Sequence, residues 1–320
     1  MSSKIKLNLH GLSLVIVMIM LISTVSNAAV YNLRTFDRPP FIYYYSGTDS
    51  VEFIDKVDRN IRLWLQSTEE KIDVDLPNKL AVYFSITRRD FAVQTRGRAP
   101  SWAGGLAMVN KNIIYVKAPI FFNAGVSVEI LTAHEISHII IHRATNGNYV
   151  PKWLSEGLCS VLAGEFRQGS TSKLSRAVLA KNLMGLPRVD GVLHYSTHNA
   201  ALAYAEANSA VRYYIERFDW LAVTELLKYI KQNKGFEEAF YLATGVDYEV
   251  WQVEWMSYAR SRYRWGALLE VDNILWMVIA ILATIIVIAA YVKKQIQLKK
   301  WRDEDDDDWD NIDDNPIIPE

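Results

Sequence analysis

Alternating apolar and polar positions predict strands in the first part of the chain. The stretch KLAVYFSIT, residues 79–87, is apolar at every second position, which predicts a strand with one buried face. FIYYYS, residues 41–46, predicts a second strand, and GLAMV and IIYVKA predict a hairpin around NKN, whose asparagines suit a tight turn. Residues 50–72, between the first two strands, have apolar side chains at helical spacing. These patterns predict a small mixed sheet with one or two helices.

Helical spacing replaces the strand patterns in the second part of the chain. SVEILTAHEISHIIIHRA, residues 127–144, predicts one helix. PKWLSEGLCSVLAGEF, residues 151–166, predicts another that opens with a proline, a residue favoured in a first helical turn. Further helices are predicted at 173–182, 198–217, 219–231 and 246–263. The predicted fold class is therefore α+β, with a sheet-bearing α/β lobe over residues 29–125 and a helical lobe over residues 126–268.

The chain begins with a short apolar run that is typical of a secretory signal. GLSLVIVMIMLISTV, residues 11–25, follows Lys4 and Lys6 and is followed by small residues that end at Ala28. We therefore predict a signal peptide over residues 1–28. An uncleaved anchor is the alternative, and in both cases the chain that follows is exported.

A second apolar run predicts one transmembrane helix. ILWMVIAILATIIVIAAYV, residues 274–292, carries no charge, and a helix of this length rises about 28 Å, close to the hydrocarbon thickness of a bilayer. Basic residues follow it at positions 293, 294, 299, 300 and 302. Because positive flanks stay in the cytoplasm, we expect a single-pass membrane protein with its folded lobes outside the cytoplasm and its C-terminus inside.

Charge is balanced in the exported part of the chain and acidic in the tail. Residues 29–292 hold 28 Lys+Arg and 26 Asp+Glu, which is too even a balance for a nucleic-acid groove. The tail, residues 293–320, is first basic and then acidic, with nine acids between Asp303 and Asp314. We expect the acidic end to be solvated and disordered. Docking of a cytoplasmic partner on this tail is the alternative.

The single cysteine, Cys159, limits the chemistry of the exported lobes. Because the chain has no second cysteine, no internal disulfide forms, and the fold depends on its core and on any bound metal. The neighbours of Cys159, SEGLCSVL, indicate a helix interior. We interpret the thiol as a small buried hydrophobic group, and a reactive nucleophile is the less favoured alternative.

The motif HEISH, residues 134–138, carries the candidate chemistry. On a helix, His134 and His138 project from one face because they are four residues apart, and Glu135 is near enough to touch a ligand bound between the two rings. Catalytic zinc needs three protein ligands and one open position. The next predicted helix offers a carboxylate, Glu156, and the loop ATNGNYV lets that helix fold back on the first. We therefore predict a Zn²⁺ site at His134, His138 and Glu156.

Two alternative interpretations bear on this site. In the first, His134 and His138 are packed core residues, but buried imidazoles beside a glutamate would still need polar partners. In the second, His142 is the third ligand. An unbroken helix puts His142 about 12 Å of axial rise beyond His134, whereas zinc–nitrogen bonds span about 2 Å. We interpret His142 as a helix-end residue near the last carbonyl groups.

These motifs resemble those of the peptidase MA-like metallopeptidases, the gluzincins, which are distant relatives of thermolysin. The resemblance rests on HEISH, PKWLSEGL and ALAYAEANSAVRYYIERF, and it covers roughly residues 80–260. It implies a thermolysin-like zincin fold, a zinc cofactor and hydrolysis of a peptide or protein substrate. Matched residue by residue, His134, His138 and Glu156 are the metal ligands and Glu135 is the catalytic carboxylate.

The chain departs from the pattern of these relatives at two places. Thermolysin has an aspartate four residues after the ligand glutamate, where this chain has Ser160, so another group must orient a ligand histidine. Aminopeptidases of the clan have a GAMEN strand whose glutamate holds the amino terminus of the substrate, where this chain has GGLAM. The missing acid favours an endopeptidase.

Further site residues are predicted less directly. Tyr204, in the helix that follows the ligands, is the first candidate donor to the developing oxyanion, and His194 and His198 come next; packing is the favoured role for each of the three. His194 and His198 lack a nearby acid that would support a second metal pair. The strand at 112–117 is expected to bind an extended substrate as an added strand.

Two other functions stay open at this point. A zinc-stabilised scaffold would keep the metal and bind a partner without hydrolysis, although the intact Glu135 disfavours it. A transport or receptor subunit rests on the single membrane span alone. The favoured function is a membrane-anchored zinc metallopeptidase that cleaves peptide bonds outside the cytoplasm.

Overall fold

The computed structural model of the chain describes residues 33–100, 102–118, 126–165, 170–191, 197–264 and 271–310. The predicted signal peptide and His194 lie outside these stretches. Within them the fold is α+β, as predicted, because a small mixed sheet comes first and helices follow it.

A five-stranded sheet forms in the N-terminal part of the described chain. Its strands are β1 (Arg34–Arg38), β2 (Phe41–Tyr45), β3 (Leu80–Ser85), β4 (Gly105–Met108) and β5 (Ile113–Lys117). Their spatial order is β1-β2-β3-β5-β4. The three inner strands are parallel to one another, and β1 and β4 pair antiparallel at the two edges. The predicted hairpin is therefore the β4–β5 pair.

The order of the strands corrects one expectation from the sequence. β5 lies between β3 and β4, so the strand expected at 112–117 has a neighbour on each side and cannot accept a substrate strand. At this side of the sheet the edge strand is β4. The pattern also gives no sign of β1, because RTFDR is mostly exposed and has no apolar face. Its pairing with β2 is what makes it a strand.

Helices surround and follow the sheet. Two of them accompany the strands, α1 (Ser50–Glu69) and α2 (Arg88–Gln94). The helices after the sheet are α3 (Val128–Ala144), α4 (Lys152–Leu162), α5 (Ser170–Leu179), α6 (Leu186–Val189), α7 (Thr197–Lys231), α8 (Phe236–Thr244) and α9 (Tyr248–Arg262). The helices predicted at 198–217 and 219–231 correspond to the two halves of α7, which a non-helical residue, Asp219, with a φ of 65° separates as predicted. The sequence analysis did not predict α8, and the helix predicted at 246–263 is α9.

The core forms where the sheet packs on α3. Phe41, Val82 and Ile114 of the sheet are fully buried, as are Ile136 and Ile140 of α3. α3 is apolar on most of its sides rather than along one stripe, which is typical of a helix surrounded by protein. Because such a helix cannot roll or tilt without disturbing the core, its polar side chains are held in fixed positions.

Gly157 allows α4 to approach α7 closely. A Cβ at this position would lie 2.5 Å from the carbonyl oxygen of Ala207, closer than real Cβ contacts come. A larger residue would therefore push α4 away from α7. The glycine that follows Glu156 thus helps to fix the position of the helix that carries that glutamate.

A long apolar helix, α10 (Val271–Asp310), comes after the helical lobe. Its segment Leu275–Arg302 has the length and hydropathy to cross a membrane, and the most apolar window is not buried against the rest of the described protein. The helix suggests single-pass membrane anchoring, in line with the span predicted at 274–292. It continues to Asp310, so the expectation of a disordered acidic end is wrong for the first acids of the tail.

Candidate metal centre

The helices α3 and α4 carry the candidate site, and the segment between them turns the chain back. Ser127 caps α3, because its hydroxyl accepts a hydrogen bond from the Ile130 N–H. After α3, Gly147 has a φ of 74°, a conformation that glycine adopts without strain. α4 then packs on α3 and brings Glu156 to the histidines.

The structure brings His134, His138 and Glu156 together. The two imidazole rings lie side by side on α3, with their centroids 5.1 Å apart. Glu156 Oε2 lies 3.5 Å from His134 Nε2 and 3.7 Å from His138 Nε2. The three residues expected to bind a metal therefore converge on one point.

The surroundings of Glu156 Oε2, the oxygen that lies near both imidazoles, test whether these residues fit a zinc ion. Glu156 Oε2 is buried and has no hydrogen-bond partner among the described residues, a situation that costs free energy unless a cation compensates for it. Two ligands of tetrahedral zinc, each about 2.0–2.2 Å from the metal, stand about 3.4 Å apart. The observed separations of 3.5 and 3.7 Å are close to that value. Two imidazoles and a carboxylate are also donors that zinc prefers, so the residues fit the ion.

Glu165 is a site residue that the sequence reasoning missed. Its Oε2 lies 2.9 Å from His134 Nδ1 and accepts a hydrogen bond of 3.1 Å from Ser160 Oγ. Glu165, held by the Ser160 hydroxyl, is thus the acid beside the His134 nitrogen that faces away from Glu156. The other imidazole has a longer contact, 3.4 Å between His138 Nδ1 and Ser155 Oγ.

The end of α4 explains how Glu165 reaches His134. Gly164 has a φ of 65°, and the Glu165 N–H donates to the Ser160 carbonyl at 2.8 Å. This is the chain reversal typical of a helix that ends at a glycine. An acid directly after such a glycine is a signal in the sequence, but the spacing does not tell whether its side chain turns inward. Only the burial of Glu165 in the structure does so.

Glu135 faces strand β4. Its carboxylate accepts a hydrogen bond from the backbone N–H of Ala107, and a Cβ at Gly105 would lie 2.5 Å from Glu135 Oε1. A glycine on this strand therefore leaves room for the carboxylate. Burial, helped by two neighbouring carboxylates, raises the pKa of Glu135 to about 8. A buried carboxyl group with a raised pKa can hold a proton near neutral pH.

The electrostatics of the site favour a cation. Burial lowers the pKa of His138 to about 4, so this imidazole is neutral at pH 7. Burial opposes the charge of Glu156, but the two imidazoles beside it outweigh burial and lower its pKa to about 2. Burial also acts to lower the pKa of His134, but the nearby carboxylates of Glu156 and Glu165 raise the pKa above the usual value. With Glu135 protonated, the carboxylates of Glu156 and Glu165 face at most one charged imidazole.

The site opens into a cleft of about 320 Å³. Tyr204 and Trp102 line the cleft, and their rings meet edge to face with centroids 6.0 Å apart. Tyr204, the first candidate donor to an oxyanion, is thus half-buried in the cleft wall. His142 also lines the cleft, one helical turn beyond His138. His198 is at the start of α7, and its side chain is outside the described part of the chain.

Cys159 offers a competing set of donors. The donor atoms of His134, His138 and Cys159 all lie within 4.8 Å of one another. Cys159 is fully buried, and burial raises the pKa of its thiol well above the ordinary value. Because only the thiolate is a good ligand, the ionised carboxylate of Glu156 suits a cation better than this thiol does.

Comparisons with known proteins add one finding to this geometry. A family model described as the peptidase MA superfamily matches residues 72–261. The matched part runs from just before β3 through nearly all of α9, and it includes both helices of the site and the cleft. A comparison with curated proteins finds no match.

Proposed function

Because the chain belongs to the peptidase MA superfamily, which indicates a peptidase, we propose that it is a membrane-anchored zinc metallopeptidase acting outside the cytoplasm. One observation carries the proposal. The buried oxygen of Glu156 stands between two imidazole nitrogens, and it has no hydrogen-bond partner among the described residues. A divalent cation at this point would satisfy all three groups at once.

The metal would be held by His134, His138 and Glu156. When bound, zinc would acidify a water molecule and polarise the carbonyl group of the scissile bond. Glu165 would keep the imidazole of His134 in the orientation that leaves Nε2 free to bind, since a ligand histidine usually needs such a partner on its other nitrogen.

Glu135 would carry the proton in this reaction. Its carboxylate takes a proton from the attacking water and gives it to the leaving nitrogen of the cleaved peptide. The N–H of Ala107 orients the carboxylate, and the missing side chain at Gly105 gives it room. Tyr204, on the cleft wall, would donate a hydrogen bond to the oxygen that becomes negative.

An extended substrate would bind along β4. Among the described strands β4 pairs only with β5, so its other edge can pair with a substrate as an additional strand. The strand reads GLAM and has no acid that could hold the amino terminus of a substrate. We therefore propose cleavage within chains rather than at their ends. With α10 in a bilayer, the substrates would be peptides or proteins close to the membrane surface.

The second candidate function is a zinc-stabilised scaffold, and Cys159 is the observation that favours it. If the thiol bound the metal together with His134, His138 and Glu156, four protein ligands would close the site, as in structural zinc sites. Such a protein would bind partners without cleaving them.

The proposed activity can be tested with the full chain purified in detergent. We expect about one zinc ion per chain and cleavage of casein that stops after treatment with 1,10-phenanthroline and returns when zinc is restored. Inhibitors of serine and cysteine proteases serve as controls and should have no effect. Bound zinc without cleavage of casein or of a peptide library would favour the scaffold. Cleavage that persists after metal removal would contradict the proposal.

Replacing Glu165 with glutamine is expected to weaken zinc binding by about 10- to 100-fold, because His134 would lose the charged partner of its Nδ1. Competition with a zinc-binding dye measures the dissociation constant. The matched control is Glu206→Gln, since Glu206 is also fully buried but accepts hydrogen bonds from the N–H groups of Met184 and Gly185. The control should lower stability and leave zinc affinity unchanged. Wild-type zinc affinity in Glu165→Gln would show that this carboxylate does not orient the histidine.

A further inference from the structure

A second concave surface lies between the C-terminal ends of α5 and α9. We call it the α5–α9 groove, and its volume is about 620 Å³. Its apolar lining consists of Val178, Leu179, Leu183 and Met256, and we call these four residues its floor. Leu179 remains 60% exposed, so the floor is open to an apolar ligand. The groove shares no residue with the cleft of the metal centre.

Basic side chains stand around this apolar floor. Lys181, Arg260 and Arg264 line the groove, and no carboxylate is among the described residues that line it. The groove is therefore complementary to a molecule that is anionic at one end and apolar at the other. Basic residues near helix C-termini also offset the helix dipole, but that role does not require an apolar floor between them.

Lys181 has an unusual backbone conformation. Its φ is 53°, and the Asn182 N–H donates to the Ala177 carbonyl at 2.8 Å where α5 ends. Glycine is the residue that adopts this conformation without strain. The chain instead has a lysine there, so a basic residue lines the groove at a position where glycine would be less strained. Such strained positions are concentrated at functional sites.

The α9 side of the groove is close in sequence to the candidate membrane helix. Residues 265–274 separate Arg264 from Leu275, where the candidate span begins. Even fully extended, a segment of that length reaches at most about 40 Å. If α10 crosses a bilayer, the groove must stay within that distance of the lipid headgroups.

We propose that the α5–α9 groove binds one anionic phospholipid, with the phosphate between the three cations and an acyl chain on the apolar floor. The proposal rests on the membrane anchor of the proposed function and not on its peptidase activity. A lipid held in this way would fix the orientation of the catalytic lobe relative to the membrane surface.

The test uses the full chain in nanodiscs of equimolar phosphatidylglycerol and phosphatidylcholine. Native mass spectrometry counts the lipids that stay bound after release from the disc. We expect the wild-type chain to retain phosphatidylglycerol over phosphatidylcholine by about threefold or more, since each basic residue near the lipid strengthens the binding of anionic lipid. The variant Lys181→Gln, Arg260→Gln, Arg264→Gln should lose most of this preference.

A control variant removes the same amount of charge elsewhere. It carries Arg59→Gln, Lys79→Gln and Arg89→Gln, three exposed positions outside the groove, and it should keep the wild-type preference. The basic residues after the membrane span also attract anionic lipid. They are the same in all three proteins, so the difference between the variants reports on the groove.

A second measurement separates a lipid from free phosphate. Dihexanoyl phosphatidylglycerol should raise the melting temperature of the detergent-solubilised wild-type chain, and glycerol 3-phosphate at the same concentration should not, because it has no acyl chain for the floor. An equal effect of both compounds would overturn the lipid as the ligand.

The remaining outcomes are also decisive. Equal retention of both lipids by the wild-type chain would overturn the proposal, as would a control variant that loses the preference as fully as the groove variant. A chain that does not enter nanodiscs would overturn the anchor and the groove together. Casein cleavage tests the peptidase activity separately, so failure of the groove and failure of the enzyme can be told apart.

Discussion

Replacing Glu135 with glutamine is expected to lower kcat for peptide cleavage by about 10²- to 10⁴-fold, the usual contribution of a general base. Glutamine keeps the size of the side chain and can still accept a hydrogen bond from the Ala107 N–H, but it cannot take up the proton of the attacking water. Zinc content should not change, because Glu135 is not among the three residues that converge on the metal position. The measurement is kcat and KM on a fluorogenic peptide, with zinc per chain determined on the same sample.

The control for this variant is Glu129→Gln, on the same helix. Glu129 lies in the first turn of α3 and pairs with Lys56 at 3.4 Å, so the substitution removes a carboxylate from α3 without touching the cleft. We expect wild-type kcat for it. If Glu135→Gln cleaved peptides as fast as this control, Glu135 would not be the general base.

Replacing Glu156 with glutamine is expected to weaken zinc binding by more than about 100-fold, a larger loss than for a residue that only orients a ligand. The neutral amide removes the charge that lies between the two imidazoles and offers a weaker donor to the metal. Cleavage activity should fall in parallel and should recover in part at high zinc concentration. Competition with a zinc-binding dye, followed by a casein assay across a zinc titration, checks both effects.

Cys159→Ser decides between the two sets of donors around the histidine pair. If Glu156 is the third ligand, the serine variant should bind zinc with wild-type affinity, apart from a modest loss of stability in the core. Loss of zinc in Cys159→Ser, with zinc retained in Glu156→Gln, would assign the metal to His134, His138 and Cys159. Glu156 would then not be the third ligand, whereas loss of zinc in both variants would indicate a site closed by four protein ligands and would favour the scaffold.

The sequence predicts the parts of the fold that depend on local periodicity. Strand β3 and helix α3 follow from regular spacing of apolar residues, and HEISH with PKWLSEGL was enough to infer the family that the match over residues 72–261 confirms. Two histidines four apart on a helix must share a face, and this local fact explains why their pairing could be predicted. The position of Glu156 beside the two histidines could also be predicted, because it needs only a short turn that folds α4 back on α3.

The features that the sequence did not reveal depend on tertiary neighbours. β1 is a strand because β2 lies beside it, and the edge position of β4 depends on the order of the strands in space. Glu165 reaches His134 through a reversal at Gly164, so its part in the site depends on the direction of one side chain. The α5–α9 groove combines residues from two helices that are far apart in the sequence.

The most direct test of the central claim is anomalous diffraction at the zinc absorption edge from crystals of the purified chain. We predict one strong peak within about 2.0–2.2 Å of His134 Nε2, His138 Nε2 and a carboxylate oxygen of Glu156, with a fourth position open to the cleft. A peak bonded to the sulfur of Cys159, or a Glu156 carboxylate turned away from a metal held by the two histidines, would contradict this account.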